Sequence, residues 1–156
     1  MGVVKEEIST AIETLNYSAD QIALLSFDMG STLYYELLNS FVKSGDRRWW
    51  WEDFKQASFD FQKYEKPFEK LKEIIPDQNE KVWLMVEDDL EAYYPIYDCN
   101  PSIIGEIIGE CFGFEYYVIN KNKDWLLCEN HHGRLIGLGD ELREKNIDKI
   151  INHEED

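Results

Sequence analysis

Three strand-like runs follow one another closely in the second half of the chain, and they constrain its fold more than any other feature. The runs cover residues 114–120, 125–129 and 134–138. The connections between them, residues 121–124 and 130–133, are short and contain Asn together with Asp or Gly, as hairpin turns usually do. Strands joined by such short turns run antiparallel. The pattern therefore predicts an antiparallel meander.

Helix and strand patterns alternate in the first part of the chain. Apolar side chains recur at helical spacing from Val4 to Leu15 and predict an amphipathic helix. The short apolar run at residues 22–27 fits either a strand or a helix, and we favour a strand. Ser31 is then expected to cap a second helix, which residues 44–46 should end because Gly suits a left-handed cap. The apolar face of this second helix holds Leu33, Leu37, Leu38 and Phe41.

Prolines bound the elements that come next. Pro67 is placed to open a short helix and Pro76 to close it. The apolar run at residues 81–87 predicts a buried strand. Residues 93–97 are expected to pair with that strand. Pro95 should confine them to a sheet edge or a bulge, because proline has no N–H to donate to a strand ladder.

The strongest local signal is Asn100 followed by Pro101. Asn accepts a hydrogen bond at a helix N-cap, and the N–H that proline lacks is not needed at the first helical position. We therefore expect a helix from residue 101 to about residue 111. A final helix should follow Gly139.

Together these elements predict an α+β fold, with N-terminal helices followed by a mainly antiparallel sheet that packs against helices. The chain has 156 residues, of which 44% are apolar and 14% aromatic, and this is enough to bury a core. No repeat or linker divides it. We expect residues 1–156 to form a single acidic domain.

The charge of the chain restricts its partners. It carries 32 acidic and 16 basic residues, a formal net charge of −16. Nucleic acids and anionic membrane surfaces are bound by clusters of Lys and Arg, so this charge disfavours both as partners. A negative field attracts basic proteins instead. The composition therefore favours a basic protein partner.

Cysteine usage and hydropathy favour a cytoplasmic location. Cys99, Cys111 and Cys128 form no recognisable disulfide spacing, which is typical of a reducing compartment. The N-terminus has no apolar signal segment, and no stretch approaches the roughly 20 apolar residues of a membrane-spanning helix. We expect a cytoplasmic protein.

An aromatic and basic segment is the most unusual feature of the chain. Arg and Trp are the residue types most enriched at binding hot spots, and they adjoin here as Arg47, Arg48, Trp49, Trp50 and Trp51. In an extended backbone, Trp49 and Trp51 would face one side and Trp50 the other. One hypothesis is that Trp50 is exposed and contacts a partner. The alternative is that the tryptophans anchor the core.

An acidic cluster follows the strand predicted at residues 81–87. Its members are Glu87, Asp88 and Asp89. The spacing is not that of a calcium-binding loop, and charge runs of this kind are usually solvated turns. If the cluster has a function, we expect it to be an acidic contact patch for a basic partner.

The stretch from Cys128 to His132 is a second candidate site. Cys and His bind zinc, but a structural zinc site normally needs four ligands, and no CxxC or HExxH motif accompanies this stretch. We therefore expect no metal and no cofactor, and we assign no catalytic residue. The alternative is a ligand site in which Trp51 lines a pocket and Glu129, His131 and His132 have acid–base roles.

Three stretches resemble an uncharacterised bacterial family of small acidic proteins, a domain of unknown function. They are residues 47–52, residues 81–88 and the segment from Ile108 to His132, which contains the sequence Cys-Glu-Asn-His-His. The resemblance runs from about Arg47 to Gly139 and implies no activity, cofactor or catalytic residue. The size, acidity and α+β outline are also similar to those of toxin-neutralising immunity proteins of the SUKH type, by architecture alone.

These observations favour a protein-binding domain, of an immunity type that neutralises a basic toxin. Binding is favoured over catalysis because the sequence contains no nucleotide-binding or nucleophile motif. Two alternatives stay open. One is a small-molecule binder or enzyme that uses the tryptophans and histidines. The other is a structural homo-oligomer with tryptophans at its interface.

Overall fold

The computed structural model describes residues 3–43, 50–88 and 90–146. Seven strands in these residues form one sheet in the order β1-β4-β3-β5-β6-β7-β2, and every neighbouring pair is antiparallel. The predicted meander is confirmed as β5, β6 and β7. The strands are β1 (Ile22–Leu24), β2 (Phe59–Asp60), β3 (Val82–Val86), β4 (Ile96–Cys99), β5 (Tyr116–Asn120), β6 (Leu126–Glu129) and β7 (Leu135–Leu138).

The helices confirm the α+β prediction. Two longer helices lie near the N-terminus, α1 (Val3–Leu15) and α2 (Phe27–Phe41). Two short ones, α3 (Leu71–Ile74) and α4 (Ile104–Gly109), continue from the 3-10 turns Pro67–Lys70 and Pro101–Ile103. A further 3-10 helix covers Trp50–Glu52, and residues 140–146 are also helical.

The sheet is buried on both faces. Tyr116 and Val118 of β5 pack in the apolar cluster that contains residues of α1, α3 and α4. Their neighbours Tyr117 and Ile119 pack in the opposite cluster, which α2 and Trp50 cover. Successive strand residues point to opposite faces, so a strand buried on both faces has an uninterrupted apolar sequence. The apolar runs of β3 and β5 have this origin.

Two local predictions are wrong. The second helix begins at Phe27 rather than after Ser31, because the Ser26 side chain accepts a hydrogen bond from Met29 N at 3.3 Å and caps it. Pro95 does not place its strand at an edge. It lies just before β4, which pairs with β1 on one side and β3 on the other, so no ladder N–H is lost.

The Asn100 prediction is confirmed. The Asn100 Oδ1 atom accepts hydrogen bonds from the backbone N–H of Ser102 at 3.1 Å and from its hydroxyl at 2.9 Å. Pro101 is the first residue of the 3-10 turn that leads into α4. The turn predicted at residues 44–46 and the end of the final helix lie outside the described residues.

Gly105 allows α4 to approach the backbone of residue 68. A Cβ at Gly105 would lie 2.6 Å from the carbonyl oxygen of Phe68, whereas a Cβ at Gly109 would lie 3.1 Å from the Phe68 side chain. We expect Gly105→Ala to lower the free energy of unfolding by about 1–3 kcal/mol, because the Phe68 carbonyl belongs to the backbone and cannot easily move away from the added methyl group. Gly109→Ala is the matched control, and urea unfolding should place it within about 0.5 kcal/mol of wild type. Equal losses would contradict this explanation.

Candidate functional site

One end of the sheet brings three glutamates together. Val86, the last residue of β3, pairs with Tyr116 at the start of β5, and Tyr116 pairs with Glu129 at the end of β6. Paired strands lie about 5 Å apart, so the backbones of Glu87, Glu115 and Glu129 lie close together, with the Glu115 side chain on the face of Tyr117 and the Glu129 side chain on the face of Tyr116. The backbone N–H of Glu87 donates to the carbonyl of Glu115 at 2.9 Å. We call the surface around these three residues the acidic end of the sheet.

Glu115 is the hydrogen-bonding centre of this end. Its side chain is 0% exposed. Its Oε1 accepts a hydrogen bond from Trp51 Nε1 at 2.8 Å, and its Oε2 accepts one from the Tyr117 hydroxyl at 2.8 Å. Oε1 also lies 3.3 Å from His131 Nδ1 and 3.4 Å from the His131 backbone nitrogen. A buried carboxylate needs such donors to offset its lost hydration, so Glu115 holds Trp51 and His131 in place.

Trp51 and the two histidines form an aromatic group beside Glu115. The centroid of the Trp51 ring lies 5.8 Å from that of His131 and 6.0 Å from that of His132. The centroids of the two imidazole rings are 4.0 Å apart. The His131 side chain is 38% exposed. An imidazole that a buried carboxylate orients through Nδ1 has the arrangement of a general base.

The turn between β6 and β7 presents both histidines to solvent. Asn130 Oδ1 accepts hydrogen bonds from the backbone N–H groups of His132 at 3.0 Å and Arg134 at 2.9 Å. Gly133 has a φ of +79°, a backbone conformation in which a residue with a side chain would be strained. The Arg134 guanidinium pairs with Asp60 through contacts of 2.9 to 3.2 Å. These contacts fix the turn.

Two open depressions flank His131. The first has a volume of about 250 Å³ and is lined by Val4, Glu87, Asp88, Phe114, Glu115 and His131. The second has a volume of about 300 Å³ and is lined by Phe112, Gly113, Phe114, Glu129, Asn130 and His131. They share Phe114 and His131, and the Phe112 side chain at the second is 97% exposed. The two depressions are therefore adjacent, and the lining of each includes acidic and aromatic residues.

Glu129 lies half-buried in the second depression. Its Oε1 accepts a hydrogen bond from the Tyr116 hydroxyl at 2.8 Å. Burial raises the pKa of Glu129, and the hydrogen bond from Tyr116 opposes that rise. Glu129 has no ion-pair partner in the part of the chain that the structure describes. Its carboxylate can therefore receive a proton or an external cation.

The family model of DUF6756, a family of unknown function, matches residues 2–150. The chain belongs to the DUF6756 family. This confirms the resemblance to a domain of unknown function and assigns no reaction, ligand or partner. No curated protein and no solved structure matches the chain significantly.

Within the described parts of this DUF6756 chain, no helix is both long and apolar enough to cross a lipid bilayer. Within the same residues, no group of three or more His, Cys, Asp or Glu side chains is arranged to hold a metal ion. Cys128 is buried, and burial raises the pKa of its thiol well above the usual value. A buried neutral thiol is a poor nucleophile, so Cys128 serves the core.

The prediction that Trp50 is exposed is wrong. Its side chain is 0% exposed, and its ring centroid lies 5.6 Å from that of Tyr34 and 5.5 Å from that of Tyr117. The prediction assumed an extended segment, but Trp50–Glu52 is a 3-10 helix. This helix turns Trp50 into the core and leaves Trp51 half-buried at Glu115. Arg47, Arg48 and Trp49 lie outside the described residues.

In the acidic cluster after β3, Glu87 and Asp88 are not fully exposed. Asp88 is only 4% exposed, and its Oδ1 accepts a hydrogen bond from Leu90 N at 3.1 Å. Glu87 is half-buried, and both residues line the first depression. Asp89 lies outside the described residues. The cluster thus joins Glu115 and His131 instead of standing alone.

Two residues of the site, Glu115 and Phe112, were not predicted from the sequence. Glu115 alternates with Tyr117 and Ile119, which pack in the core on the α2 side of the sheet. An acidic residue that shares the alternation of a buried apolar strand face is the sequence signal of a buried carboxylate. Phe112 stands in no motif, and only its exposure in the folded chain distinguishes it.

A larger cavity, of about 430 Å³, lies along α4 and has a different character. Its walls include Lys66, Phe68, Lys72, Glu106 and Glu110. Lys72 Nζ lies 4.0 Å from Glu106 Oε1, so charges of opposite sign face each other there. This surface carries charges of both signs and is therefore less suited to a charged ligand than the acidic end of the sheet.

Proposed function

We propose that this chain is a cytoplasmic, bacterial protein-binding domain that docks a basic protein at the acidic end of its sheet. The observation that supports it is the position of Phe112, which is 97% exposed beside carboxylate-lined depressions. Aromatic side chains are enriched at interface hot spots, and the entropic cost of ordering them is small. Water exposure of a whole Phe ring is unfavourable, so a partner that covers it gains free energy.

Charge supports a basic partner. The chain has a net charge of −16, and the residues that line the two depressions include Glu87, Asp88, Glu115 and Glu129. Complementary charge accelerates diffusional encounter and disfavours acidic competitors. Screening by salt weakens this steering. Association with the partner should therefore slow as ionic strength rises.

An immunity-type role fits these properties. Proteins that act on nucleic acids carry basic surfaces that bind phosphate groups. An acidic domain with an aromatic anchor can cover such a surface and so block access of the nucleic acid. We propose a basic toxin of this chemical class as the partner.

Phe112 and Phe27 provide a matched pair for testing this proposal. Both side chains are exposed, Phe112 at 97% and Phe27 at 68%, but Phe27 lies at the start of α2 and lines neither depression. In pull-downs from native bacterial lysate, wild type and Phe27→Ser should retain the same basic protein. Phe112→Ser should weaken its binding by about 2 kcal/mol or more, measured by titration of the purified partner.

The outcome that contradicts the proposal is a partner that is acidic or that binds Phe112→Ser as tightly as wild type. Circular dichroism should first confirm that both variants are folded. Trp50 and Asp88 are unsuitable for this test because they are buried, and substitutions there would report on folding.

A second candidate function is supported by the shared position of Glu129 and His131 in one depression. Glu129 has a raised pKa, and His131 Nδ1 lies 3.3 Å from Glu115. A carboxyl group with a raised pKa and an oriented imidazole that line the same depression are elements used in acid–base catalysis on a small molecule. Saturation-transfer NMR with a metabolite library would detect such a ligand, and His131→Asn should abolish the signal.

A further inference from the structure

The second depression combines one carboxylate with aromatic walls. Glu129 uses its Oε1 to accept the Tyr116 hydroxyl. In the described residues, its Oε2 accepts no hydrogen bond and forms no ion pair. Phe112 and Phe114 line the same depression.

The chain does not supply a cation for this site from the adjoining strand. Arg134 follows the β6–β7 turn, but its guanidinium makes a bidentate pair with Asp60, with contacts of 2.9 Å to both carboxylate oxygens. A half-buried carboxylate beside aromatic rings is complementary to a cation, since the ring faces are also electronegative. An anionic ligand would face repulsion from Glu129.

We propose that the second depression binds the guanidinium group of an arginine side chain. The inference rests on the proposed function, in that the arginine belongs to the basic partner. A guanidinium is planar, stacks on aromatic faces, and is more weakly hydrated than an ammonium group. It can stack on the exposed ring of Phe112 or on Phe114 while one N–H donates to Glu129 Oε2. The depression, at about 300 Å³, is large enough for this planar group.

The probe for this site is N-acetyl-L-arginine amide, added to the full-length ¹⁵N-labelled protein. The neutral isostere N-acetyl-L-citrulline amide and the lysine analogue serve as ligand controls. We expect saturable shifts of the backbone amides of Phe112, Gly113 and His131 with arginine, at a Kd of roughly millimolar order. Citrulline should cause no saturable shift, and lysine should bind more weakly than arginine.

Glu129→Gln tests the carboxylate itself. Glutamine keeps an acceptor for the Tyr116 hydroxyl, so the variant is expected to fold. Loss of a charge-assisted hydrogen bond should weaken arginine binding by roughly tenfold or more. Glu110→Gln is the matched control, because Glu110 is exposed and lines the larger cavity along α4. This variant should bind the arginine probe like wild type.

Three results would overturn the inference: equal shifts with citrulline, lysine binding as tightly as arginine, or unchanged affinity in Glu129→Gln. None of them needs the partner. If arginine binds as expected but Phe112→Ser retains the partner fully, the guanidinium site stands and the proposed docking surface fails. If Phe112→Ser loses the partner and Glu129→Gln binds arginine like wild type, the docking surface stands and the guanidinium site fails.

Discussion

Replacing Trp50 by alanine should lower the free energy of unfolding by about 3–5 kcal/mol, the range typical of a buried aromatic residue. Trp50 is 0% exposed and contacts Tyr34 and Tyr117, so it joins α2 to the sheet. Removing the indole leaves a cavity between these two layers, which the surrounding rings cannot fill without moving. Urea unfolding followed by far-UV circular dichroism measures the change without depending on tryptophan fluorescence.

Trp50→Phe is the control for this prediction. The Trp50 Nε1 atom is buried and has no hydrogen-bond partner among the described residues, so phenylalanine loses volume but none of the hydrogen bonds described there. We expect a smaller loss of about 1–2 kcal/mol. If Trp50→Ala is as stable as Trp50→Phe, the indole does not fill the core as described.

Removing the Glu115 carboxylate should lower the free energy of unfolding by about as much as Trp50→Ala does. In Glu115→Ala, Trp51 Nε1 and the buried Tyr117 hydroxyl lose their acceptor. Because these donors are left without a partner, we expect the free energy of unfolding to fall by about 3–5 kcal/mol, the range for breaking a buried polar network. The Trp51 indole N–H resonance should also shift, because its partner at 2.8 Å is gone. Urea unfolding and ¹⁵N NMR measure the two effects.

Two further variants serve as controls for the stability of Glu115→Ala. Glu115→Gln keeps one oxygen acceptor and should lose less stability than Glu115→Ala. Glu144→Ala removes an exposed glutamate and should change stability by no more than about 0.5 kcal/mol. A Glu115→Ala protein as stable as Glu144→Ala would show that the buried carboxylate does not hold the site together.

Local chemistry explains which parts of the fold the sequence predicts well. The meander is encoded by short turns between β-forming runs, and the start of α4 by Asn100 and Pro101. In each case the decisive contacts lie within a few residues, such as Asn100 Oδ1 to Ser102 N. The second helix was misplaced because Ser26 and Ser31 are equally good caps by type, and only the end of β1 at Leu24 selects Ser26.

The candidate site was predicted only in part because its residues meet through strand register. The sequence singled out Trp51, Glu129, His131 and His132, and the last two adjoin Trp51 in the folded chain. It did not single out Glu115, which is 64 residues from Trp51 and accepts its indole N–H. That contact depends on the packing of the 3-10 helix Trp50–Glu52 against the sheet beside Tyr117, which no local pattern specifies.

The sequence by itself determined the α+β class, the antiparallel meander, the cap at Asn100 and the strongly acidic surface. Each of these follows from backbone preferences, apolar periodicity or composition, which act locally or over the whole chain. Only the tertiary structure decided that Trp50 is core while Phe112 is exposed, and that Glu115 and Trp51 converge. Burial and convergence depend on which distant elements cover a side chain, and residue type alone does not specify those elements.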